Sequence, residues 1–272
     1  MKIPSLPLAD KHKIPQVGLG LWQVKDSDEF KTSFDTAIAA GYRHFDSAQA
    51  YANEQLLGEA WQASGLKRSE LFITTKIAVQ HFGYHLAKSS FEESLQKLQT
   101  DYVDLILLHF PVTLLRKKSW QALEEFQAAG QAKSIGVSNY TIRHLEEMKE
   151  YAKVVPVINQ VELHVFLQQP ELVKYCKDNG IVVEAYSPLV RGKGMDNKTL
   201  LAIAKKHGKS VAQVMLRLWI ERGIVVLPKS VTPSRIKENI DIFDFQLDAD
   251  DMAKLTALDQ DERTNWSPVH VP

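Results

Sequence analysis

Apolar positions along this chain follow two periods that take turns. Short, near-continuous apolar runs are each followed by a longer stretch in which apolar residues recur at helical spacing. A segment with a polar centre, Leu6 to Pro15, comes first and reads as a small hairpin. The runs then begin with Val17 to Trp22. Asp26 or Ser27 caps a helix whose buried face is Phe30, Phe34, Ala37 and Ile38, and Gly41 ends it as a left-handed cap residue. Arg43 to Phe45 is the second strand, with a helix around residues 54–64 closed by Gly65. The third runs from Leu71 to Lys76 and precedes a helix with Phe91, Leu95 and Leu98 on one face. Val103 to His109 leads to a helix near 117–129, residues 132–138 to one at 141–151, and residues 154–160 to one at 170–179. Ile181 to Tyr186 precedes a helical region from 197 to 222 that buries Val211, Val214, Met215 and Leu218. Ile224 to Pro228 precedes a last helix at 233–240. A short helix from Leu247 through Leu258 and a tail containing Trp266 follow, the tail lying over one end of the fold.

Eight strands, each followed by a helix and too apolar to alternate, belong to a parallel sheet buried on both faces. Eight such units closing on themselves predict a (β/α)8 TIM barrel, an α/β fold, with an N-terminal hairpin and a short C-terminal tail. The length of 272 residues suits one such barrel, and residues 1–272 read as a single domain with no linker or repeat. A doubly wound open sheet competes. Gly18 and Gly20 invite a dinucleotide fingerprint, but Gln23 stands where its third glycine would be, and that reading is rejected.

Charge narrows the partners. Thirty-three basic residues balance thirty-three acidic ones, so no net field draws nucleic acid or an anionic membrane. The single cysteine, Cys176, allows no intramolecular disulfide and suits a reducing cytoplasm. Met1 to Ser5 lacks the apolar core of a secretory signal, and Val103 to His109 is too short to span a bilayer.

In a barrel of this kind the active site lies at the C-terminal ends of the strands. Those ends carry Trp22, Asp46 with Tyr51 beyond it, Lys76, His109, Ser138-Asn139, Gln160, Tyr186-Ser187 and Lys229-Ser230. Any one of these is more often a plain strand terminus; together they line a polar mouth. Asp46, Tyr51, Lys76 and His109 make chemical sense as a group. An ammonium beside a phenol favours the phenolate, a carboxylate keeps the lysine charged and placed, and an imidazole orients the substrate's oxygen. The expected product is a general acid tuned toward working pH and aimed at a carbonyl oxygen. Farther along, Thr232 can cap a helix with Pro233 at its first position, where free N–H groups suit an anion, and Lys229 and Arg235 add charge aimed at phosphate.

Several motifs occur in order: Gly41 to Ala48 with Tyr51, Asn53-Glu54 with Gly58, Thr74-Thr75-Lys76, Asp101 to Leu105 through His109, and Gly136 to Asn139. They continue with Ile158 to Glu162, Tyr186 to Leu189 and Leu227 to Thr232. Over essentially its whole length the chain resembles the aldo-keto reductases, NADPH-dependent barrel enzymes that turn aldehydes and ketones into alcohols. The resemblance implies that Tyr51 is the proton donor, supported by Asp46, Lys76 and His109. It implies that Ser138, Asn139 and Gln160 hold the nicotinamide carboxamide, that Tyr186 stacks on the ring, and that Ser187 and Leu189 contact the pyrophosphate. Lys229, Ser230, Val231, Thr232 and Arg235 match the clamp on the adenosine 2′-phosphate, with Glu238 and Asn239 beside the adenine. NADPH is therefore expected over NADH, and a monomer is the family's default.

Departures concern the pocket walls. Phe110 follows the histidine where many relatives carry Trp, Ile77-Ala78-Val79 replace an early aromatic, and Ala50 stands where a larger residue is common. Short loops at 111–116 and 188–197 resemble those of bacterial members that reduce 2,5-diketogluconate and methylglyoxal, so an open pocket walled by Trp22, Phe110 and Trp266 is expected for a small-molecule carbonyl of α-dicarbonyl or keto-sugar type. His81 and His85 lie four apart, but no third ligand is evident and no metal is expected. Arg116-Lys117-Lys118 reads as a solvated helix start. Two rival functions stay open. A non-catalytic NADPH-binding redox sensor would need the cofactor clamp without the four-residue group, and a metal-dependent hydrolase would need ligands that the strand ends lack.

Overall fold

The computed structural model describes residues 3–272; Met1 and Lys2, part of the N-terminal stretch judged above to lack a secretory core, lie outside them. Two antiparallel strands, β1 (Ser5–Pro7) and β2 (Lys13–Pro15), form the hairpin. Eight parallel strands follow: β3 (Leu19–Gly20), β4 (His44–Asp46), β5 (Phe72–Ile77), β6 (Val103–Leu108), β7 (Ala132–Ser138), β8 (Ile158–Glu162), β9 (Val182–Tyr186) and β10 (Val225–Leu227). Each pairs with the next in the sheet. A parallel bridge between Val17 and Val226 and a hydrogen bond from Gly20 N–H to the Pro228 carbonyl (3.1 Å) bring β3 against β10 and close the barrel.

Helices surround it. They are α1 (Ser27–Ala40), α2 (Glu54–Ala63), α3 (Tyr84–Leu98), α4 (Arg116–Ala128), α5 (Ile142–Met148), α6 (Pro170–Asp178), α7 (Lys198–His207), α8 (Val211–Glu221), α9 (Pro233–Ile240) and α10 (Ala249–Thr256). The caps follow the sequence. Asp26 accepts from the Asp28 and Glu29 N–H groups, and Gly41, at φ +103°, ends α1 as expected. Gly208, also left-handed, divides the 197–222 region into α7 and α8. None of the described helices is long and apolar enough to cross a membrane.

Two apolar clusters result. The larger fills the shell between strands and helices, where Phe91 of α3 meets Phe126 of α4 with ring centroids 4.4 Å apart. The smaller joins Leu8 and Ile14 of the hairpin to Phe72, Leu105, Leu107, Ile158 and Val225 inside the barrel. The hairpin thus plugs the N-terminal end, and burial of each such side chain contributes about 1.5–3 kcal/mol. Gly136 has its reason here: a Cβ there would lie 2.8 Å from both the Ile158 carbonyl and Leu107.

One strand lies later than expected. The 154–160 run begins outside the sheet: Val155 is exposed, Pro156 interrupts the run, and β8 starts only at Ile158 and ends at Glu162. The solvated reading of Arg116 is also corrected. It is buried, donates to the Pro111 carbonyl (3.2 Å) and the Pro272 carbonyl (2.7 Å), and pairs with Glu147 of α5. Arg116 therefore pins the tail at Pro272.

Candidate active site

Strand alternation aims the reactive groups. On β4, His44 and Asp46 face inward, and register sets Asp46 beside Thr74 of β5, two positions before Lys76. Lys76 is wholly buried, and its Nζ donates to both Asp46 carboxylate oxygens (2.8 and 2.7 Å) and to the Ser47 carbonyl (2.9 Å). The same nitrogen lies 3.3 Å from the Tyr51 hydroxyl. His109, just past the end of β6, meets the Tyr51 ring edge-on with centroids 5.7 Å apart. All four residues named from the sequence are brought together.

Tyr51 sits on a single 3-10 turn, Gln49–Tyr51, that two amides anchor. Gln49 donates to the Ser90 carbonyl and the Ser94 hydroxyl (3.0 Å each) and accepts from Ala78 N–H at 2.9 Å. His81 Nδ1 lies 2.9 Å from the same Gln49 oxygen, which gives that histidine a structural task in this loop. Asn53 accepts from the Ser47 hydroxyl (2.7 Å) and donates to the Leu21 and Val24 carbonyls (2.8 and 2.9 Å). The anchoring role of Gln49 is not visible in sequence, because its partners lie on α3 and beyond β5.

Electrostatics sharpen the roles. Burial works against the Lys76 ammonium, but Asp46 and then Tyr51 outweigh it, and the net pKa stands above the usual lysine value. For Tyr51 burial is the largest influence and raises the pKa; Lys76 pulls it down, Asp46 pushes it up, and the net direction is upward. The sequence expectation of a phenol tuned down by its ammonium is thus reversed in the free protein, because the burial of this half-buried phenol outweighs the pull of Lys76. Burial, then the Lys76 charge, lowers His109 to about 3, so its imidazole is neutral near neutral pH. A neutral imidazole can donate one N–H to a substrate oxygen without competing to protonate it. The profile of kcat/KM for a reaction at this site should accordingly show no His109 limb between about pH 5 and 8. A limb near about pH 6.5 that disappears in His109→Gln would contradict this.

The site opens into a cleft of about 1570 Å³. Its walls include Asp46, Tyr51, His109, Trp22, Phe110 and Trp266, together with Ser138, Asn139, Gln160, Tyr186, Ser187, Leu189, Lys229, Ser230, Val231, Thr232, Arg235, Glu238 and Asn239. Among the residues expected from sequence only Lys76 is absent from the walls; it lies behind Asp46 and Tyr51. Asn139 adopts φ +64°, which suits Asn, and its side chain donates to the His109 carbonyl and the Ser138 hydroxyl (3.1 Å each) while accepting from Tyr186 (2.7 Å). Trp22 lies beyond the end of β3 with the Arg191 guanidinium 4.9 Å from its ring centre, and Trp266, 83% exposed, meets Phe110 edge-on at 6.5 Å.

The far end of the cleft fits a phosphate. Lys229 and Arg235 are exposed, and neither pairs with a carboxylate among the described residues, in a chain where many other cations do. Thr232 occupies the N-cap of α9 but makes no cap hydrogen bond with its side chain, which leaves the first-turn N–H groups to an incoming anion. Away from that end, fully buried beneath Asp46 and Gln160, lies a carboxyl not singled out from the sequence, Glu184 of β9. Its position two residues before Tyr186 was the available signal, since that spacing puts both on the inward face.

The Aldo/keto reductase family model matches residues 16–260. Glyoxal reductase of Bacillus subtilis (strain 168) is 46% identical over 256 residues, covering 94% of this chain and 93% of that protein. Methylglyoxal reductase DkgA of Escherichia coli (strain K12) is 42% identical over 267 residues, covering 97% and 96%. A solved aldo-keto reductase of Bombyx mori in complex with NADP superposes with a TM-score of 0.91 at 35% identity, covering 97% of this chain and 95% of that one. With a family model spanning most of the sequence and relatives of this identity along nearly its full length, the chain belongs to the aldo/keto reductase family.

Proposed function

We propose that this protein is an NADPH-dependent reductase of small aldehydes and ketones, α-dicarbonyls such as methylglyoxal or keto-sugars among them, with Tyr51 as the proton donor. The observation that carries the reading is the Tyr51 hydroxyl, 3.3 Å from an ammonium locked against Asp46, on the wall of a cleft that ends in two unpaired cations. Relatives that reduce glyoxal and methylglyoxal, and one solved with NADP, support it.

When bound, the cofactor supplies the hydride. The chain's own residues do the rest. Tyr51, protonated at neutral pH, gives its proton to the carbonyl oxygen as negative charge gathers there. The phenolate left behind is stabilised by Lys76, and Asp46 keeps Lys76 charged and in place. His109 donates to the same oxygen and fixes the carbonyl's orientation. Ser138, Asn139 and Gln160 would hold the nicotinamide carboxamide and Tyr186 the ring face, with Ser187 and Leu189 at the pyrophosphate. Lys229, Ser230, Val231, Thr232 and Arg235 would hold the 2′-phosphate, with Glu238 and Asn239 beside the adenine. Trp22, Phe110 and Trp266 form apolar walls, and Ala50, exposed beside Tyr51, leaves room that a larger residue would take. Every one of these groups comes from one chain, in keeping with a working monomer.

The test is NADPH oxidation with methylglyoxal, glyoxal and a nitrobenzaldehyde, with the product alcohols identified. Stoichiometric conversion of cofactor and carbonyl is expected; a protein that binds NADPH yet consumes none across the panel overturns the reading. For the phosphate clamp, Lys229→Ala with Arg235→Ala should cut the preference for NADPH over NADH by about a hundredfold, the scale of two charge-assisted contacts. An unchanged ratio of the two affinities would remove these residues from that role.

A further inference from the structure

Below the proton-donor group lies a carboxyl that the reaction does not use. Glu184 is wholly buried on β9, in register with Gln160 of β8 on one side and Val225 of β10 on the other. Its Oε2 accepts from Gln160 Nε2 at 2.7 Å, and the same nitrogen donates to Asp46 Oδ1 at 2.9 Å. Its Oε1 makes no hydrogen bond and faces His44 Nε2 at 3.7 Å; that imidazole is itself held by the Thr74 hydroxyl at 3.1 Å.

A primary amide has two N–H donors on nitrogen and acceptor capacity only on oxygen. Here both donors of Gln160 are spent downward, one on each carboxyl. Turning the amide over would set its oxygen against two carboxyl oxygens. Held by one tether, the amide could swing about that bond; held by two, its plane and its sense are both fixed. The oxygen, Oε1, is then the atom that this side chain offers to the cleft.

We infer that Glu184 is a positioning residue: by taking the second N–H of Gln160 it locks that amide so that the cleft presents an acceptor, not a donor, to the carboxamide of the nicotinamide ring. This rests on the reading above that the carboxamide binds at Ser138, Asn139 and Gln160. A ring bearing a carboxamide can donate N–H to such an acceptor, whereas a ring bearing a methyl ketone there cannot. The groups facing Glu184 agree with a fixed, uncharged support. Asp46 and Lys76 already balance each other, His44 is lowered to about 3 by burial foremost, and burial followed by the Asp46 charge raises Glu184 to about 8. Glu184 therefore holds its proton at neutral pH; Oε2 accepts from Gln160 and so cannot carry that proton, which sits on Oε1, the oxygen with no other partner, and leaves Oε2 an acceptor.

The test measures binding by tryptophan fluorescence titration, with NADP+ and its acetylpyridine analogue, in which methyl replaces the amide nitrogen. Wild type should favour NADP+ clearly. Glu184→Leu should bind NADP+ about tenfold more weakly and the analogue unchanged, so the ratio falls about tenfold, the scale of one hydrogen bond. Glu184→Gln, which keeps an acceptor, should restore the ratio to within about twofold. The adenosine bisphosphate half of the cofactor, bound equally by all variants, reports intact folding, and Glu184→Met replaces the Leu variant if that control fails. A Leu or Met variant with the wild-type ratio overturns the inference while leaving the reductase reading in place, and so does a Gln variant whose ratio falls as far as the Leu variant's. A wild type that binds NADP+ and the analogue alike shows that the carboxamide is not held at Gln160, and both fall together.

Discussion

Tyr51→Phe should lower carbonyl reduction about a thousandfold while leaving NADPH affinity within about twofold of wild type. The substitution removes one oxygen atom and keeps the ring that meets His109 edge-on, so the walls of the cleft persist. What is lost is the hydroxyl that the site sets 3.3 Å from Lys76 Nζ. His109 cannot stand in, because burial and the Lys76 charge keep its imidazole neutral near neutral pH. The loss should appear in kcat and kcat/KM alike, as expected for an interaction made only in the transition state. The raised Tyr51 pKa fixes the pH dependence. With Tyr51 as the proposed donor, reduction would need the protonated phenol, so wild-type reduction should hold its rate through neutral pH and fall only on the alkaline side. Alcohol oxidation would by the same proposal need the phenolate and should rise over that same alkaline range.

Lys76→Met should damage both chemistry and fold. Lys76 is wholly buried, and its ammonium is the partner of a carboxylate that is itself 3% exposed. Removing it strands Asp46 in the barrel interior, and breaking a buried pair in this way costs about 3–5 kcal/mol. Urea denaturation should show that loss directly. Replacing both partners, Lys76→Met with Asp46→Leu, should recover much of the stability, because no uncompensated charge remains, yet activity should stay lost. A Lys76→Met protein as stable as wild type would mean that the pair contributes little to the fold. A double variant that regained activity would detach both residues from the proton donor.

The chain wrote its barrel plainly because strands buried on both faces leave near-continuous apolar runs. Val103–Leu108 is the clearest example, each residue of it buried. The 154–160 run misled for the same reason: Val154 and Val155 look like strand, yet Val155 points to solvent and Pro156 delays pairing until Ile158. Asp46, Lys76 and His109 were legible because polar residues at the ends of apolar strands stand out, and Tyr51 because it stands just beyond Asp46. Glu184 was legible only in part: its spacing from Tyr186 marks the inward face, but a carboxylate inside a strand carries no mark of which partners will surround it. Arg116 was misread for a related reason. Its partners, Glu147 and the Pro272 carbonyl, are remote in sequence, and without them it looks like one more cation in a basic run. The net direction of the Tyr51 pKa also required the fold, because a neighbouring lysine can be inferred from motifs whereas the degree of burial cannot.

The most direct test of Tyr51 as proton donor is a single turnover. Protein loaded with NADPH is mixed with saturating methylglyoxal, and the loss of the cofactor's near-ultraviolet absorbance is followed for wild type and Tyr51→Phe side by side. A rapid decay in wild type, slowed about a thousandfold in the variant at equal cofactor occupancy, is the expected result. Equal decay rates in the two proteins would contradict it.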